Sequence, residues 1–83
     1  MTYSVAFTQG AEEILAAVSA RDPGRARRLA LILLRLEQAP CPPGSRDLGD
    51  GDRTWAFAGY SIAFHVDDKS RVVEIGILRE GPL

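Results

Sequence analysis

The sequence predicts an α+β fold: a small antiparallel β-sheet with an N-terminal strand and an α-helical hairpin packed on one face, in the order β-α-α-β-β-β. Three observations predict it. Residues 54–65 pair with themselves as a β-hairpin in a single good register. Two adjacent stretches with helical apolar spacing follow one short alternating stretch. A further apolar stretch with strand alternation lies near residue 75. Strands running in succession beside a block of helices favour an antiparallel sheet covered on one side. With 83 residues, the chain has length for one compact domain, residues 1–83.

The first strand is Tyr3-Ser4-Val5-Ala6-Phe7, where Tyr3, Val5 and Phe7 share a face. Thr8 then suits a helix N-cap, and Glu12 and Glu13 follow where the helix dipole favours negative charge. Ala11, Ile14, Leu15 and Val18 recur at helical spacing, predicting an amphipathic helix over about residues 9–20. Asp22-Pro23-Gly24 opens a second helix, with Asp22 as cap and Pro23 in the first turn. It is expected to reach about Gln38, with Ala26, Leu29, Ala30, Leu33 and Leu36 as its core stripe. Leu31, Ile32 and Leu34 widen the apolar surface beyond that stripe, either as further core or as a surface kept for a partner, and Leu31 and Leu34 are the candidate partner-binding residues of the second reading.

Ala39-Pro40-Cys41-Pro42-Pro43-Gly44 stops the helix, and residues 45–53 read as a polar loop. In the hairpin, Ala58-Gly59 forms a two-residue turn, Phe57 faces Tyr60, Trp55 faces Ile62, Ala56 faces Ser61 and Thr54 faces Ala63. Strand alternation then puts Trp55, Phe57, Tyr60, Ile62 and Phe64 on a core face. Thr54, Ala56, Ser61, Ala63 and His65 form the other, small and nearly chargeless face. A tight turn at Asp67-Asp68-Lys69-Ser70 leads to a last strand near residues 72–78, with Val73, Ile75 and Ile77 expected inside.

Charge is nearly balanced at −1, which gives no global argument for a nucleic-acid or anionic-membrane partner. The longest apolar run, residues 29–34, is too short to span a bilayer, so no membrane contact is expected. The first residues lack the basic and apolar regions of a secretory signal. One cysteine, Cys41, permits no internal disulfide, and a cytoplasmic location is expected. Asp47, Asp50, Asp52, Asp67 and Asp68 lack the spacing of a calcium loop; neither a metal nor a cofactor is expected.

Several segments taken together resemble the RelE/ParE superfamily of bacterial type II toxins. They are the Tyr-x-Val-x-Phe first strand followed by a short helix with Ala11-Glu12, and the second helix ending Leu33-Leu34-Arg35-Leu36-Glu37-Gln38-Ala39-Pro40. The loop Pro43-Gly44-Ser45-Arg46-Asp47-Leu48, the strand Gly59-Tyr60-Ser61-Ile62-Ala63-Phe64 and the closing Val72-Val73-Glu74-Ile75-Gly76-Ile77 complete the set. The resemblance implies a cognate antitoxin as partner. It implies ribosome-dependent mRNA cleavage as the activity, or inhibition of DNA gyrase in the ParE branch. A non-enzymatic interaction module on the same fold is the remaining alternative, and a homo-oligomer is left open.

Cleavage through the ribose 2′-hydroxyl needs cationic donors for the phosphate and a group that moves protons. Where the resembling proteins carry basic residues, this chain has Ala56, Ala58 and Ser61. Each missing donor would be worth roughly 2.7–4 kcal/mol if it acts as an oxyanion-hole group does. The catalytic candidates that remain are Arg46, Arg79, Arg53 and His65, the only histidine. Ala56 and Ser61 are candidate partner-binding residues, because small side chains let another backbone approach closely.

Overall fold

The computed structural model describes residues 2–83. Its elements run β1 (Ser4–Phe7), α1 (Gln9–Arg21), α2 (Pro23–Leu34), a 3-10 turn (Arg35–Glu37), β2 (Arg46–Gly49), β3 (Asp52–Phe57), β4 (Tyr60–Asp67) and β5 (Val72–Glu80). The strands form one sheet in the order β1-β5-β4-β3-β2.

Both helix caps follow from the sequence. The Thr8 hydroxyl accepts from the Ala11 amide, and the Asp22 carboxylate accepts from the Arg25 amide. The second helix tightens into 3-10 geometry after Leu34, which still turns Leu36 fully inward. The helical hairpin covers one face of the sheet, where Ala11, Val18, Leu29, Leu33 and Leu36 meet Tyr60, Ile62, Phe64, Val73, Ile75 and Leu78. Trp55 and Phe57 extend this core at its edge, their ring centroids 4.5 Å apart.

The sheet is mixed, since β1 runs parallel to β5 while β2 to β5 pair antiparallel in sequence. The expected loop at 45–53 contains a strand, β2, which turns into β3 through Gly49, Asp50 and Gly51, all at positive φ. The β3–β4 register is the one predicted, and it continues two pairs further to Asp52 opposite His65.

On β5 the predicted alternation fails. The pairing shifts between Ala63 and Phe64, so Ala63 faces Ile77 while Phe64 faces Ile75, leaving Gly76 as the extra residue of a β-bulge. The shift flips the strand: Leu78 is buried and Ile77 is 50% exposed. Ile14, expected in the core stripe of α1, is 40% exposed. Among the described residues no helix is long and apolar enough to cross a membrane.

Candidate functional site: the open face of the sheet

Helices cover only one side of the sheet, so the side chains pointing away from them form an open face. Three rows cross it. Ala56 (β3), Ser61 (β4) and Arg79 (β5) stand side by side, then Arg46 (β2), Thr54, Ala63 and Ile77, then Asp52, His65 and Glu74. The short reach of β2 leaves β3 without a further neighbour beyond Thr54, because the β2–β3 pairing ends at Arg46 opposite Thr54.

A cavity of about 640 Å³ sits over the hairpin-turn end of this face. Gly44, Arg46, Thr54 and Ala56 line it, with Trp55 and Phe57 at the free edge of β3 and Gly81, Pro82 and Leu83 on the far side. The wall is mostly apolar, and Arg46 is the only charged residue in it. Arg79, in the adjoining row, is the second cation at this end. β3 and β4 lie between β2 and β5, so the backbones at Arg46 and Arg79 are about 14 Å apart across the sheet at ~4.8 Å per strand, and one row apart along it.

Ser61 is not the open surface expected of it. It is 5% exposed, and its hydroxyl donates to the Gly81 carbonyl at 2.7 Å. The chain after β5 folds over this position, held also by the Gly81 amide donating to the Gly59 carbonyl at 2.8 Å. Ala56 remains exposed beside it.

Arg53 lies on the opposite side of the sheet. Its register partners are Asp47 and Phe64, which puts its side chain on the helix-covered face. There Nε and Nη2 donate to the Ser45 hydroxyl at 3.1 and 2.8 Å, and Nη1 lies 3.9 Å from the Asp47 carboxylate. Arg53 thus clamps the segment entering β2 onto β3, and it does not join Arg46 and Arg79.

His65 is on the open face as expected, but four residues along β4 from Ser61, about 13 Å at ~3.3 Å per residue. Its Nδ1 donates to the Asp52 carboxylate at 2.9 Å, and Glu74 flanks it from β5. The Asp52 hydrogen bond, helped by the charges of Asp52, Asp67 and Glu74, holds the imidazole pKa above its usual value against a smaller opposing effect of burial. Gly51 supplies the room: a Cβ there would meet His65 Cε1 at 2.9 Å and the Val66 carbonyl at 2.6 Å. The sequence reading missed Asp52 and Glu74 as the neighbours of His65. The sequence carries the signal for Asp52, because extending the predicted hairpin register by two pairs places it opposite His65. A second cavity of about 360 Å³ lies here, lined by Leu48, Ala63, Gly76 and Ile77 with Asp52, His65 and Glu74.

Leu31 and Leu34 belong to the outer surface of the helical layer, 59% and 46% exposed. They are on the far side of the molecule from Ala56, so a single small contact does not span both. Tyr60, as its alternation predicted, is buried; its hydroxyl has no hydrogen-bond partner, and the Arg25 guanidinium lies 5.0 Å from its ring centroid.

Chemically, the turn end of the open face offers an apolar trough beside two separated guanidiniums. Such a trough can bind an extended segment and hold an anionic group. It has no proton carrier of its own: the Ser61 hydroxyl is engaged, the Tyr60 hydroxyl is in the core, and His65 stands two rows away.

No family sequence profile matches the chain, and no curated protein matches it by sequence. Solved structures do match. The chain superposes with a TM-score of 0.80 on a chain of the RelBE2 toxin–antitoxin complex from Mycobacterium tuberculosis, at 19% identity over 96% of this chain and 99% of that one. The chain has the RelE fold. An archaeal RelE–RelB complex from Pyrococcus horikoshii OT3 gives 0.78 at 20% identity, covering 96% of each chain. The isolated E. coli RelE toxin gives 0.77 at 15% identity, over 98% of this chain and 86% of that one. The RelE fold accounts for the mixed sheet and the helical hairpin together, and leaves the chemistry to the residues on the open face.

Proposed function

We propose that this chain is the toxin-side component of a type II toxin–antitoxin pair, acting in the cytoplasm and binding a cognate antitoxin through the turn end of the open face. The observation that carries the reading is the 640 Å³ apolar trough along the free edge of β3, with Arg46 at its side. An extended antitoxin segment would lie along Trp55, Ala56 and Phe57, add to the strand edge, and present a carboxylate to Arg46. Likeness over nearly the whole chain to toxins crystallised with their antitoxins supports the same reading.

The residues favour binding over mRNA cleavage as the retained function. Among the described residues Arg46 and Arg79 are the only cations on the open face at the turn end, Ser61 is covered, and the one histidine is held by Asp52 at the other end. Ribosomal mRNA cleavage and gyrase inhibition both remain assayable targets.

The test is induction of this chain in a bacterial host, alone and with the product of its neighbouring gene. Co-purification of the two products is expected, and Arg46→Glu with Ala56→Arg is expected to abolish it. Growth arrest relieved by the neighbour would identify an active toxin, and purified chain added to translation and supercoiling reactions would name its target. A soluble, folded chain that neither arrests growth nor retains the neighbour's product would overturn the proposal.

A further inference from the structure

Two exposed apolar patches of opposite charge lie on opposite layers of this molecule. The first is on α2 and the turn that continues it. Arg27, Leu31 and Leu34 recur at helical spacing, with Arg28 and Arg35 beside them, so all five share one outward arc. Leu31 is 59% and Leu34 46% exposed, and none of Arg27, Arg28 and Arg35 pairs with a carboxylate among the described residues.

The second patch is the far end of the open sheet face. Leu48 is 58% and Ile77 50% exposed there, across the shallow 360 Å³ cavity floored by Ala63 and Gly76. Asp52 and Glu74 border it, with His65 between them and hydrogen-bonded to the Asp52 carboxylate, so that Glu74 is its unpaired carboxylate among the described residues. Ile77 owes its exposure to the bulge at Gly76, which turns it out of the core. Of the six large hydrophobic side chains that are exposed among the described residues, two therefore lie among arginines and two beside carboxylates.

We propose that these patches are complementary and that the chain associates head to tail with second copies of itself, the Arg27/Leu31/Leu34/Arg35 surface of one docking on the Leu48/Ile77 cavity between Asp52 and Glu74 of the next. Leucines standing between the arginines argue against a phosphate backbone as occupant, which would be met by the charges alone. A second copy meets both requirements at once, since it supplies apolar side chains and carboxylates in one place. The patches sit on opposite layers, so one copy's helix patch and sheet patch face different neighbours. The contact is heterologous, and it extends or closes into a ring according to the rotation it imposes. It is independent of the antitoxin reading, which uses the other end of the sheet face, and it gives Leu31 and Leu34 an occupant other than the antitoxin.

Sedimentation velocity of the purified chain over a range of concentrations tests it. The weight-average mass is expected to climb past that of a dimer at low salt and fall back toward the monomer at high salt, where exposed charges are screened. A helix variant, Arg27→Glu with Arg35→Glu, and a sheet variant, Asp52→Lys with Glu74→Lys, are each expected to be monomeric. Mixed, they regain complementary patches and are expected to associate. Leu31→Asp, at an exposed position that leaves the core intact, is expected to abolish association by itself. Circular dichroism checks that each variant is folded. A wild-type chain that stays monomeric throughout, or swapped variants that ignore each other when mixed, would overturn the proposal.

Discussion

The Ser61 hydroxyl donates to the Gly81 carbonyl at the end of the sheet at 2.7 Å, closing from within the position that stands opposite Arg79. The chain end is thus part of the site's wall. A larger or charged side chain at 61 would have to displace Gly81 before reaching the trough.

Removing that bond has a definite cost. Ser61→Ala leaves a carbonyl without its partner at a nearly buried position and is expected to lower stability by about 0.5–1.5 kcal/mol. Urea unfolding of the two proteins measures it. An unchanged midpoint would mean that the chain end is not held by Ser61.

His65 and Asp52 form a pair whose strength depends on pH. Because the folded pKa of His65 is raised, its contribution to stability is fully present below the unfolded value of about 6.5 and is lost as pH rises through the folded value. An NMR titration of the imidazole is expected to give a midpoint above 6.5, and Asp52→Asn is expected to lower it. Equal midpoints in the two proteins would remove Asp52 as the cause.

Much of this was legible in the sequence, and the failures have particular causes. The register from Phe57 opposite Tyr60 to Thr54 opposite Ala63 could be read because one face is continuously apolar and a slip by one residue would expose it. The alternation of β5 could not be read past Gly76, because a bulge inverts the pattern without changing the residues that carry it. β2 was hidden because all four of its residues are exposed, so it carries no apolar signal. Of the candidate site, Ala56 and His65 stand on the open face as alternation predicts, whereas Arg46 was singled out by the family resemblance alone, since no strand was expected there. Arg53 was separable from them by the same alternation, since it shares the parity of Trp55 and its extended register partner is Phe64, and the structure adds Ser45 and Asp47 as the partners that hold it there.

The β3–β4 turn stores strain. Ala58 sits at φ +49°, a left-handed conformation that costs a residue with a Cβ roughly 1–2 kcal/mol. Ala58→Gly or Ala58→Asn at this type I′ position is expected to raise the unfolding temperature. Thermal unfolding followed by circular dichroism reads the change, and a lowered temperature in both variants would exclude this turn geometry.

Gly51 is expected to tolerate no side chain. Its φ of +87° and the approach of the Val66 carbonyl leave no room for a Cβ, so Gly51→Ala is expected to destabilise the fold by about 1–3 kcal/mol. The same variant is expected to shift the His65 resonances, since the added Cβ would meet the ring's Cε1 at 2.9 Å. A Gly51→Ala protein with wild-type stability and an unshifted imidazole would contradict the packing of this corner.

Antitoxin binding through the open face is tested most directly by amide hydrogen exchange, comparing the free chain with its complex with the neighbouring gene's product. Strong new protection is expected at residues 54–58, along the free edge of β3, and at Gly81. Protection confined to the helical layer, with residues 54–58 exchanging as in the free chain, would contradict it.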